Sequence, residues 1–206
     1  ARWLVAADGL HSPGRRMVGL EPDPSQSRRA GRYGLRRHFA VPPWSDLVEV
    51  YWAPGAEAYV TPVGPNCVGV AFLTTQPALG YPRWLERFPQ LQDRLAGAQP
   101  VSRLRGSGPL RQRVRSRVAG RVLLVGDAAG YVDALTGEGI GLALAGAEAA
   151  VDCLVSGQPG RYERSWRRLS REHRLLTGAL LWCAGQPVLR TRLVRTAAML
   201  PGVFGY

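Results

Sequence analysis

The chain contains no lysine: all 27 of its basic residues are arginine, set against 15 acidic residues for a formal net charge of +12. Such an excess fits nucleic acid, an anionic membrane surface or an acidic ligand. Phosphate-tracking surfaces ordinarily mix lysine with arginine, so a lysine-free chain argues for arginines spread over solvated faces and against a nucleic-acid partner. Cysteine is scarce as well. Cys67, Cys153 and Cys183 are odd in number, far apart and without C-x-x-C spacing. That argues against a disulfide framework and a structural zinc site, and it fits a reducing, cytoplasmic compartment. Long apolar runs are missing: Leu175 to Leu189 is interrupted by Gly178, Gly185, Gln186 and Pro187, short of the ~20 apolar residues of a membrane span. No charged segment followed by an apolar core opens the chain, so no signal peptide is read. The spacings give no metal-ligand cluster, no paired carboxylates and no nucleophile–base arrangement. His11 and His173 give no sign of a shared site.

What is present reads as a mixed α/β chain. Ala1 is not an initiator methionine, and Trp3 to Ala7 has the composition of a buried strand. The chain is therefore expected to have lost a part that came before it. Asp8-Gly9 closes that strand as a turn. Residues 22–31 read as a loop. Strands are expected over 32–39, 48–53, 57–63 and 67–73, with Gly64-Pro65-Asn66 as a hairpin turn, giving a small antiparallel sheet. Helical spacing follows over 82–96, with Trp84, Leu85, Phe88, Leu91 and Leu95 on one side. A strand is expected from Leu110 to Val118, where alternation places Arg111, Arg113, Arg115 and Arg117 on one solvated face. Residues 121–125 form the most strand-like run, Gly139 to Val155 reads as a helix, and two or three helices are expected between Arg161 and Leu200. On the first of these, Arg161, Arg164, Arg167, Arg168, Arg171 and Arg174 fall at helical spacing. That row is compatible with weak contact at a membrane surface; a solvated helix face is the plainer reading.

The chemistry concentrates between Gly120 and Val151. An apolar strand delivers Gly126 and Asp127 to its carboxyl end, where α/β proteins place their ligands. Ala128, Ala129 and Gly130 are small enough for a backbone or flat ligand to come close. Thr136-Gly137-Glu138-Gly139 then opens a helix whose first turn offers free N–H groups and the positive end of its dipole.

This run, G-D-A-A-G-x-x-D-x-x-x-G-E-G-I, resembles the second flavin motif of FAD-dependent hydroxylases of the para-hydroxybenzoate hydroxylase type and of geranylgeranyl reductases. The resemblance implies that Asp127, with Gly126 and Ala128, binds the ribityl chain of FAD. It implies that the helix start at Gly137, Glu138, Gly139 and Ile140 approaches the flavin ring. Ala134 stands where many members carry proline. Independently, RWLVAADGLHSPGR at residues 2–15 resembles the family's Asp-Gly motif, with Asp8, Gly9, Ser12 and Arg15 in the matching places and Gly14 where an apolar residue is usual. That motif helps to hold FAD and influences the nicotinamide cofactor, so NAD(P)H is the implied reductant. The resemblance covers nearly the whole chain but lacks the G-x-G-x-x-G element that cradles the FAD pyrophosphate. Gly106-Ser107-Gly108 is a look-alike, but Pro109 and the arginine-rich strand follow it, so no helix is expected to open there.

The expected fold is an incomplete Rossmann-like FAD-binding domain (residues 1–20 and 119–158) with an inserted antiparallel β-rich substrate domain (21–118, with one helix) and C-terminal helices (159–206). Alone, such a chain is expected to bind FAD poorly and to be inactive, and the strand at 122–125 to expose an edge. The implied function is NAD(P)H-dependent flavin monooxygenation of a small aromatic, polyketide-like or apolar substrate. The alternative is reduction of isoprenoid double bonds. A reading of another class is a non-catalytic, arginine-rich polyanion-binding module. Halogenases carry W-x-W-x-I-P where this chain has Tyr59 to Gly64; Pro62 fits, but Glu57 and Thr61 do not. His38, Tyr51, Trp52, Tyr59 and Pro62 are candidates for a substrate pocket.

Overall fold

The computed structural model describes residues 1–22 and 31–186. It divides into two compact units, Ala1–Glu21 with Val114 onward, and Pro22–Arg113. The loop expected at 22–31 lies largely outside the described residues, as do any helices after Gln186.

The first unit is built on a three-stranded sheet. Strand β1 (Leu4–Ala6) pairs in parallel with β9 (Val122–Leu124), Ala6 opposite Leu124, and β8 (Val118–Ala119) pairs antiparallel with β9. A short helix α1 (Pro13–Met17) follows β1, and a 3-10 turn (Gly126–Ala129) follows β9. Helices α4 (Gly139–Val155) and α5 (Tyr162–Ala184) complete the unit. Its core joins Leu123 and Leu124 to Ala128, Ala129, Ala150, Cys153, Tyr162 and Trp166. Gly146 of α4 is buried against α5, near the Tyr162 hydroxyl, which donates to the Leu124 carbonyl at 2.9 Å.

The second unit is an antiparallel sheet of β3 (Glu49–Ala53), β4 (Ala56–Gly64), β5 (Cys67–Thr74), β2 (Tyr33–Ala40) and β6 (Gln99–Pro100), in that order, with β7 (Arg105–Ser107) also on β2. One face carries Phe39, Ala58, Val60, Val68, Val70 and Phe72, covered by α2 (Tyr81–Leu85) and α3 (Pro89–Arg94) through Tyr81, Trp84, Phe88 and Leu91. Phe72 stacks on Phe88 with ring centroids 5.5 Å apart.

Several expectations are corrected. The helix expected over 82–96 is two short ones: Pro89 has no N–H to continue the first, and it forces Phe88 to φ −123°, outside the helical range. The 110–117 segment is not a strand. Its N–H groups find scattered partners, Leu110 to Arg32 O and Arg115 to Leu20 O, rather than a ladder. Arg111, Arg113 and Arg115 are exposed whereas Arg117 is buried, so the four arginines do not share a face. Only Ala6 of β1 is buried, Leu4 being 58% exposed, because β1 and not β9 forms the edge of its sheet. Of the helices expected between Arg161 and Leu200, the first is α5 (Tyr162–Ala184), after a 3-10 turn at Pro159–Arg161; the part of that stretch after Gln186 lies outside the described residues.

Candidate functional site

The chain after β1 closes on itself. Gly9 takes φ +79°, and Ser12 caps α1 by accepting from the Arg15 N–H at 2.9 Å. The Ser12 hydroxyl donates to one oxygen of Asp8, and the Gly14 N–H donates to the other at 2.7 Å. Burial alone would raise the Asp8 carboxyl. The bonds from Ser12, Gly14 and its own amide, with Arg15 nearby, overrule that and hold it below the ordinary carboxylate value. The departure at Gly14 has a reason: a Cβ there would meet the Ala6 Cβ at 3.0 Å and Asp8 Oδ2 at 3.1 Å.

Arg15, 2% exposed, reaches from α1 to the other half of the site, donating from Nη1 to the Ala128 carbonyl at 3.2 Å and from Nη2 to the Leu10 carbonyl at 2.9 Å. A second buried guanidinium takes the next carbonyl. Arg117 donates from Nε to Ala129 O at 3.0 Å and from Nη1 to Glu163 Oε1 at 2.9 Å. It lies 3.8 Å from the Trp166 ring centroid, with Arg174 at 5.6 Å from the same ring. Two arginines thus brace successive carbonyls of the Gly126–Ala129 turn. Burial would raise the Glu163 carboxyl, but the Arg117 amide and guanidinium hold it below its ordinary value.

That turn presents Asp127. Gly126 enters it at φ +59°, where a Cβ would stand 3.4 Å from Ala143. Ala128 and Ala129 are wholly buried, anchoring the turn in the core. Asp127 is half-buried, no group among the described residues donates to its carboxylate, and burial pushes it above the ordinary carboxylate value. Tyr131, raised to about 12 by burial and by Asp127 and Asp133, sits beside it. Next comes Gly137 at φ +71° and the start of α4. The first intrahelical bond there is Leu142 N to Glu138 O at 3.1 Å, and no side chain caps the turn. No atom lies within 4 Å of a Cβ built on Gly137 or Gly141, and Ile140 is 78% exposed. An acceptor without a donor therefore belongs to the same unit as an uncapped helix terminus bordered by glycines.

Residues 1–157 match the model of the FAD binding domain. The chain belongs to that family. Digeranylgeranylglycerophospholipid reductase 1 of Methanothermobacter thermautotrophicus is 31% identical to this FAD-binding chain over 187 residues, covering 84% of the chain and 46% of that protein. Digeranylgeranylglycerophospholipid reductase 2 of Methanosphaera stadtmanae is 31% identical over 176 residues, covering 80% and 44%. The chain thus spans about half the length of the curated relatives it matches. Among solved structures, the flavin-dependent halogenase CmlS superposes with TM-score 0.72 at 19% identity, over 88% of this chain and 36% of that one. The Diels-Alderase PyrE3 superposes with TM-score 0.66 at 21% identity, over 99% and 47%. At those identities the likeness is one of fold.

The residues present fit the ring and ribityl side of FAD: among the described residues Asp127 lacks a hydroxyl donor, and the first turn of α4 is open to an anionic group. The described residues supply no pyrophosphate cradle, and Gly106 and Ser107, the look-alike, lie in β7 paired with β2.

Two features escaped the sequence reading. One is the inward role of Arg117. The other is His173 on α5, whose Nδ1 lies 2.8 Å from Glu138 Oε2 at the α4 start, with Thr136 Oγ1 at 3.5 Å. In the second unit, register separates the pocket candidates. His38 opposes Gly69 and Tyr59 opposes Ala71, which places both on the face away from the core, together with Trp52 opposite Glu57. Tyr51 opposes Ala58 and Pro62 opposes Val68, on the core face. Tyr51 is tied by its hydroxyl to Glu49 at 2.6 Å, and Pro62 lines a small hollow with Trp44, Leu47, Glu49 and Val60. The candidates do not form one pocket.

Proposed function

We propose that the chain forms the flavin-facing part of an FAD-dependent oxidoreductase reduced by NAD(P)H. The observation that carries this reading is Asp127, a half-buried carboxylate to which no group among the described residues donates, raised above its ordinary value by burial. Carboxylates are buried without a partner only at a cost, and a polyol hydroxyl is the donor this one lacks. When bound, the flavin supplies two-electron hydride acceptance and donation. The protein's own part is positional and electrostatic. Asp127 would hold the ribityl chain, and the first turn of α4 would offer its N–H groups and positive dipole end to negative charge on the ring. Arg15 and Arg117 keep the Asp127 turn from yielding. The sheet of residues 33–107 is the proposed substrate-binding part, within the insert spanning 21–118, and the free cysteines suit a cytoplasmic setting.

For the reaction, identity of 31% over 84% of the chain to a protein named a digeranylgeranylglycerophospholipid reductase favours reduction of isoprenoid double bonds. The second reading, oxygen-dependent hydroxylation of an aromatic or polyketide-like substrate, rests on the two motifs around Asp8 and Asp127.

The test uses the complete protein. Asp127→Ala should weaken FAD binding about 100-fold, in line with loss of a buried, charge-assisted hydrogen bond, as read by quenching of flavin fluorescence. Unaltered affinity would sink the reading. Anaerobic saturation of a geranylgeranyl chain would then select the reductase, and oxygen-dependent NAD(P)H consumption with an aromatic substrate the hydroxylase.

A further inference from the structure

The flavin reading leaves the outer surface of α5 unused, and that surface is not uniform. One stripe of the helix, Tyr162, Trp166, Ser170 and Thr177, is buried against its own unit. The opposite stripe runs at alternating four- and three-residue steps through Arg164, Arg168, Arg171, Leu175, Gly178 and Trp182, all exposed. It begins with three cations and ends apolar, over about 27 Å of helix. Arg164, Arg168 and Arg171 make no ion pair among the described residues, whereas neighbouring Arg167 is held by Glu163 at 2.9 Å. Leu175 is 67% exposed and Trp182 63%. After Glu172 the sequence has no further acidic residue through Tyr206, but it has Arg174, Arg190, Arg192 and Arg195.

We propose that this face of α5 docks on an anionic phospholipid bilayer. A solvated face would stay polar to its end. A single-stranded nucleic-acid site would use the arginines and could stack a base on the tryptophan, but it has no need of the exposed leucine between them. A bilayer carrying anionic headgroups rewards both: the guanidinium groups meet phosphates, and the leucine and indole enter the boundary between headgroups and acyl chains. No described helix is long and apolar enough to cross a membrane, so the contact is with the surface. The inference does not rest on the flavin reading, because vesicle partition and FAD binding are measured separately.

The test is co-sedimentation of the complete protein with vesicles of phosphatidylcholine alone, and of phosphatidylcholine mixed with phosphatidylglycerol at about two to one. Binding is expected to the mixed vesicles, weakening with salt. The triple variant R164Q/R168Q/R171Q should bind roughly 100-fold more weakly, since each basic residue near an anionic surface is worth about fivefold. Trp182→Ser should bind about tenfold more weakly and lose the part of the binding that survives high salt. These positions are exposed, so melting curves of the variants should match the parent. Equal partition to both vesicle types, or a triple variant that binds like the parent, would overturn the proposal. So would tight retention on single-stranded DNA without vesicle binding, which would assign the arginines to a polyanion.

Discussion

Asp8 and Asp127 follow the ends of two strands that pair in parallel, with Ala6 opposite Leu124, yet their carboxylates have opposite fates. Asp8 accepts from Ser12 on one oxygen and from the Gly14 N–H on the other, and it sits below its ordinary carboxylate value. Asp127, three residues past its strand, accepts from no described residue and sits above it. The same residue type in a similar strand-end setting therefore serves two purposes. Asp8 is consumed in shaping the backbone around α1, and Arg15 carries that order across to Ala128. Asp127 is held in place by its neighbours and left with its bonding capacity unspent. A carboxylate satisfied by its own chain is a structural part; one kept unsatisfied at a cost is the kind of group proposed above to await a ligand.

The severest way to break this contrast is to remove the brace under Asp127. Arg117→Met should cost about 2–3 kcal/mol of stability, because it frees the Ala129 carbonyl and takes from half-buried Glu163 one of its two arginine partners, Arg167 remaining. Urea unfolding would show it, and an unmoved midpoint would mean that the turn does not depend on Arg117. Asp8→Ala should cost less, about 1–2 kcal/mol, through two lost hydrogen bonds at the α1 cap. If it instead left the melting temperature alone while abolishing FAD binding, the roles assigned to the two aspartates would be reversed.

Acid should sharpen the contrast further. Asp8 and Glu163 have lowered values when folded, so their contributions are complete above the ordinary carboxylate range and vanish as the pH falls through their folded values. Glu163→Gln should accordingly flatten the acid limb of the stability profile. Asp127 has the opposite sign: its value is raised on folding, so its charge costs stability at neutral pH, and that cost is relieved as the pH falls through the raised value. The smallest effect follows. Asp127→Asn should leave the FAD-free protein slightly more stable at neutral pH, and the gain should fade in acid. A loss of stability at neutral pH would show that Asp127 is a structural residue after all.

Much of the site was legible in sequence because it is local. Gly139 to Val155 is a helix as its composition predicts, and the strand ending before Gly126 is signalled by its unbroken apolar run. Asp8, Ser12 and Gly14 lie within one turn of each other, so their spacing carried the information. What was not legible depends on partners far along the chain. Nothing near Arg117 announces that Glu163 and Trp166, more than forty residues on, will draw it inward, and strict alternation made it look like one of four solvated arginines. His173 and Glu138 meet only because α5 folds back along the start of α4. The division of His38 and Tyr59 from Tyr51 and Pro62 required the strand register, including the irregularity between Pro62 and Gly64. The break in the helix at Pro89, by contrast, was written plainly in the chain, and the apolar spacing across it masked the signal.

The stacking of Arg117 on Trp166 has one more consequence. Indole emission responds to a cation beside the ring, and Trp166 has two, Arg117 at 3.8 Å and Arg174 at 5.6 Å from its centroid. The ring is thus a built-in optical gauge of the brace beneath Asp127. With the other tryptophans replaced by phenylalanine, its colour would register loosening or tightening of that turn in real time, without any label attached.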